Sequence, residues 1–150
     1  MKPGLDALIM GAATTIATRL IPEISEESYA MGDAQLTALT LILVAQEVDR
    51  AADTLWRENA AMRVLFGDLA DQPALGDMQE ALKAAALTTN QNLRISTLSA
   101  AHDRLSTLLI LLHARVEEIN EDWAQAASQS ILRLLKDGAT ARMVAMPLTE

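Results

Sequence analysis

One stretch limits the folds open to this chain more than any other. From Asp33 to Leu69 there is no proline, and one glycine, Gly67, falls near the far end. Apolar residues recur at Leu41, Val44, Val48, Ala51, Leu55, Met62, Leu65 and Leu69. Those steps put them on one stripe of a helix. A helix of that length reaches roughly 55 Å, and other helices must cover it.

The rest of the chain agrees with an all-α reading. Aromatic residues make up only 3% of it, β-branched residues are scattered, and alanine and leucine, both strong helix formers, dominate. At 150 residues a single domain with a real core is expected. The hydrophobic fraction is 51% and the mean hydropathy +0.16. A surplus of that size is buried in a core or in a subunit interface. The net charge of −8 argues against nucleic acid, which needs a clustered positive surface, and against an anionic membrane surface. Without cysteine there is no disulfide, thiolate nucleophile or thiolate-bound zinc.

Lys2 followed by Leu5 to Ala17 faintly resembles a signal peptide. Asp6 and the threonines at 14, 15 and 18 interrupt the apolar run and favour a structural helix. No apolar run approaches bilayer-spanning length on this reading, the longest being Leu41 to Ala45.

Residues 4–21 read as a first helix with Leu5, Leu8, Ile9, Ala12, Ile16 and Leu20 as its stripe, ended by Pro22. Residues 22–32 form an acidic linker with Glu23, Glu26 and Glu27, where Ser25 or Ser28 can cap a turn. Asp33 is the expected N-cap of the long second helix, which runs to about residue 70 with its end between Gly67 and Gln72. Pro73 and Gly76 mark a break. Asp77 then caps a short helix over 78–87, with Glu80 at the capping-box position.

A second long helix is expected over about 89–119, with Ile95, Leu98, Leu105, Leu109, Leu112, Val116 and Ile119 as its stripe. Beyond Asn120 the stripe shifts phase through Trp123, Ala127, Ile131, Leu134 and Leu135. Either a separate helix begins there or the same one continues to 137 with a bend, and the second is slightly preferred. Residues 139–150, with Pro147, read as a tail. The resulting fold class is an antiparallel bundle of about four helices dominated by two long ones.

Two polar residues stand where the stripes call for apolar ones. Glu58 lies between Leu55 and Met62, and His102 between Leu98 and Leu105. If the two long helices form a hairpin turning near 75–85, positions summing to about 160 share a level, and Glu58 meets His102. A buried polar pair joined by Asn59 is expected. It acts as a register lock or anchors a small ligand, and the lock is the commoner meaning. A faint echo relates Leu55, Asn59, Met62, Leu65 and Phe66 to Leu98, His102, Leu105, Leu108 and Leu109 at constant offset. Chance likeness of two leucine-rich helices accounts for it more readily than descent of two halves of a hairpin.

Metal chemistry has no support in the pattern. His102 and His113 lie roughly 16 Å apart along a helix, and neither follows a carboxylate by three residues, as in di-iron bundles. His113 with Glu117, and Asp49, Asp53 and Arg57 with Glu47 and Arg50, read as solvated helix faces. So does the acidic patch Glu117, Glu118, Glu121 and Asp122. No phosphate loop, dinucleotide fingerprint or nucleophile elbow occurs. Trp56 and Trp123 are bulky for such a core and mark a possible partner surface.

The expectation is therefore a cytoplasmic, non-enzymatic interaction module without cofactor or metal, working as a homodimer and open to a protein partner. Neither nucleic acid nor membrane is expected as a partner. The alternative is a sensor or carrier holding a small apolar ligand near Glu58 and His102.

Overall fold

The computed structural model describes residues 3–25 and 27–143. Lys2, Glu26 of the acidic linker and the last seven residues of the expected tail, Pro147 among them, lie outside the described residues. The fold is all-α, with α1 at Leu5–Thr15, α2 at Tyr29–Leu69, α3 at Met78–Ala86, α4 at Ile95–Glu117 and α5 at Asp122–Ala141. No strand occurs among the described residues. The chain divides into two compact units, one ending at Ala51 and one spanning Ala52–Met143.

In the first unit the helical path that α1 begins does not stop before Pro22. It loosens into a π-helical stretch over Ile16–Leu20 and a 3₁₀ turn over Ile21–Glu23. The Ile21 N–H reaches the Ile16 carbonyl, five residues back rather than four. That widening gives the proline ring room it lacks in a regular helix. Ile24 then turns extended. The stripe expected to pack inward is largely bare: Leu5, Leu8 and Leu20 are exposed, as is Met10. By length and composition alone, the 19 residues Leu5–Glu23 are apolar enough to cross a membrane, with a mean hydropathy of 1.2. This corrects the reading of Leu41 to Ala45 as the longest apolar run.

The long helix starts earlier than expected. The Ala30 N–H donates to Ser28 Oγ (3.2 Å), so Ser28 satisfies an end donor and Asp33 sits inside the helix. Gly67 is carried in the last turn of the helix; positive φ falls on Gly76, in the break where glycine is needed. Asp77 precedes α3 without making a side-chain cap bond, so the expected capping box does not form.

In the second unit consecutive helices are antiparallel. Arg63 bonds Thr88 and Asp71 pairs with Lys83, which runs α3 back along the end of α2. His113 meets Ser128 and His102 meets Arg142, which folds α5 back along α4. The hairpin expected between the two long helices does not exist. Asn59 bonds Leu98, 39 residues on, and His102, 43 on. Met62 bonds Ser106, 44 on, and Ala74 bonds Arg115, 41 on. A near-constant separation means that α2 and α4 run in the same direction, with α3 as the return stroke between them.

The stretch expected over about 89–137 is two helices, not one with a bend. Arg94 opens α4, so residues 88–94 form a loop. After Glu117 the chain tightens, with Ile119 N bonded to the Val116 carbonyl, and Glu121 turns extended. The indole N–H of Trp123 donates to Glu121 Oε2 (2.8 Å), fixing that corner. The core of the unit is Met62, Phe66, Ala70, Leu75, Leu82, Leu105, Leu109, Leu112, Val116, Ala124, Ala127 and Ile131.

Candidate functional site

Glu58 and His102 meet, with Asn59, in the second unit. Asn59 is fully buried. Its Nδ2 donates to the Leu98 carbonyl (3.0 Å), which leaves Oδ1 as an acceptor facing His102 Nδ1 at 3.2 Å. Glu58 Oε2 is 3.5 Å from the same nitrogen. The fourth member is Arg142, at the C-terminal end of α5. Its Nη2 donates to Glu58 Oε2 and lies 3.2 Å from His102 Nε2.

The imidazole is contacted on both of its ring nitrogens. A guanidinium has donors only, so a bond from Arg142 to Nε2 requires the tautomer whose Nδ1–H points toward Asn59 Oδ1 and Glu58 Oε2.

Glu58 supplies the open position. Its side chain is only 12% exposed, and among the described residues Oε1 is the buried side-chain polar atom with no hydrogen-bond partner. Gly138 of α5 makes room for it, since a Cβ at that position would sit 3.0 Å from Oε1. Glu58, His102 and Arg142 border a cavity of about 220 Å³, with Met62, Leu109, Leu134 and Leu135 forming its apolar side. A carboxylate oxygen in that setting can accept one hydrogen bond from a hydroxyl, amine or amide.

The other singled-out residues stay apart from this cluster. Trp56 is 39% exposed and its carbonyl accepts from Asn90 Nδ2 (3.4 Å), while Trp123 packs against the core. His113 pairs with Glu117 one turn on (3.6 Å), Arg57 with Asp53 and Arg50 with Glu47. Such exposed pairs contribute little. No group of three metal-ligating side chains occurs among the described residues.

Sequence reasoning missed Arg142 and Gly138 because both were assigned to the helix end or tail. Their signal was present: they are one turn apart, on a face continuous with Leu134 and Leu135 once α5 extends to Ala141. Comparison with protein-family models, curated proteins and solved structures found no match to this chain.

Proposed function

We propose that this protein is a helical association module that pairs with a second copy of itself through the apolar helices of its first unit. One observation carries the reading: of the stretch Leu5–Glu23, only 6% of the most apolar window is buried within the chain. Leu5, Leu8, Met10 and Leu20, with Leu36 and Val44 from the start of α2, are all exposed. Apolar surface of that extent gains free energy when covered. A second copy presents the same stripe, which makes a two-fold helical interface self-complementary.

Native mass spectrometry of the full chain tests this. The expected result is a dimer that Leu8→Ser with Leu20→Ser converts to monomer without loss of helix content. A native monomer, or a dimer indifferent to both substitutions, overturns it. So does flotation of a monomeric chain with neutral phosphatidylcholine vesicles, which would make a bilayer the cover.

A second reading rests on the unpartnered Glu58 Oε1 beside its cavity. In it the second unit holds a small, mainly apolar ligand that donates one hydrogen bond to that oxygen. Extra mass in the same spectrum, lost on denaturation and absent from Glu58→Leu, is the result it requires.

A further inference from the structure

Arg63 is a buried charge without a counter-charge. It is 9% exposed and forms none of the ion pairs among the described residues. Its Nε donates to Thr88 Oγ1 (2.8 Å) and its Nη1 to Asn90 Oδ1 (2.9 Å). Thr88 is itself anchored on the Ala85 carbonyl (2.6 Å) and Asn90 on that of Trp56. The loop after α3 thus wraps the guanidinium in neutral oxygens. Burial pulls its pKa below the ordinary arginine value, the response of a cation that nothing compensates. A charge held in this way calls for an anion.

The surroundings provide a place for one. Arg63 borders a cavity of about 360 Å³ between residues 88–91 and the start of α4. Arg104 borders the same space, as do the hydroxyl-bearing residues Thr88, Thr89 and Thr97. No carboxylate lines it, although the chain carries 20 acidic residues. Thr97 belongs to the first turn of α4, whose end lacks a side-chain cap. The donors of that turn add to the positive potential.

We propose that this cavity binds a small phosphate-bearing ligand, with the phosphoryl group held by Arg63 and Arg104 and hydrogen-bonded by the hydroxyls of Thr89 and Thr97. Two guanidiniums and two hydroxyls supply more charge and more donors than a carboxylate can use. A phosphoryl dianion with three acceptor oxygens matches them. Ala84, Ala101 and Leu105 on the remaining side suit a short carbon skeleton. The site lies wholly within Ala52–Met143 and stands whether or not the first unit dimerises.

The test is titration of the full-length protein with inorganic phosphate, followed by calorimetry and by thermal unfolding at constant ionic strength. Acetate and chloride serve as controls. Saturable binding of phosphate in preference to both is expected. Arg104→Gln, at an exposed position, should leave the fold intact and weaken binding at least tenfold. Arg63→Met should abolish binding and, if it folds, should unfold no more easily than the native chain. Absence of saturation, equal binding of acetate, or undiminished binding by Arg104→Gln overturns the proposal.

Discussion

Phe66→Ala should cost the second unit about 3–5 kcal/mol, a large share of the roughly 5–15 kcal/mol that holds a domain together. Phe66 is the chain's one phenylalanine and is fully buried. Its cluster contains Met62, Leu75, Leu82, Leu105, Leu109 and Leu112 from four segments of chain. Removing the ring loses its transfer free energy. The space it leaves does not close, because the smaller members Ala70, Ala124 and Ala127 have no side chain to extend into it. Phe66→Leu keeps most of the volume and should cost about 1 kcal/mol. Urea unfolding followed by helical circular dichroism measures both. At about 4–8 °C per kcal/mol, the alanine variant should melt at least 12 °C lower, while the leucine variant stays within a few degrees. A loss near 1 kcal/mol for the alanine variant would mean that the core is centred elsewhere.

The helices were legible in the sequence because their apolar periodicity is strong; their direction and the buried face of α2 were not. Reading the apolar residues of α2 led to a stripe through Met62, Leu65 and Leu69. In the second unit the buried positions along α2 and just past its end are Asn59, Met62, Arg63, Phe66 and Ala70, a face rotated by about one residue. The cause is chemical: two of those five are polar, so a search for apolar recurrence slides to the edge of the true face, where Leu65 and Leu69 are only partly buried. Arg63 was invisible for the same reason, since an arginine in a helix ordinarily marks the solvent side.

The meeting of Glu58 with His102 came from an arrangement the protein does not adopt. Positions summing to about 160 in a hairpin and positions a constant 44 apart in a parallel pair both join these two residues, as the contact of Met62 with Ser106 at the same separation shows. The internal echo between α2 and α4 runs at nearly the spacing at which those helices lie side by side. A hairpin pairs such positions at one level only. The four-residue break near Asn120 was legible only as an ambiguity. Without glycine or proline, helix and corner are separated there by local bonds such as that of Trp123 with Glu121.

Arg142→Ala should destabilise the second unit by about 2 kcal/mol, and Glu58→Gln by no more than about 1 kcal/mol, although the two residues share one ion pair. The asymmetry follows from burial. Arg142 is 50% exposed and Glu58 only 12%. Without Glu58 the half-exposed guanidinium keeps its access to water and its contact with His102 Nε2. Without Arg142 the carboxylate stays between α2, α4 and α5, with Oε1 unpartnered and only the 3.5 Å approach of His102 Nδ1 on Oε2. A buried acceptor deprived of its donor costs more than a surface donor deprived of its acceptor. The double variant should therefore lie close to Glu58→Gln alone, because no unpaired charge remains for Arg142 to compensate. That leaves a coupling of roughly 2 kcal/mol, the full cost of Arg142→Ala, in the double-mutant cycle. Equal single costs that simply add would place Arg142 outside the cluster and reduce the site to Glu58, Asn59 and His102. A large coupling would instead make the end of α5 the clamp that holds the Glu58 carboxylate at its cavity, so that truncating the chain before Arg142 should loosen α5 without touching the Phe66 core.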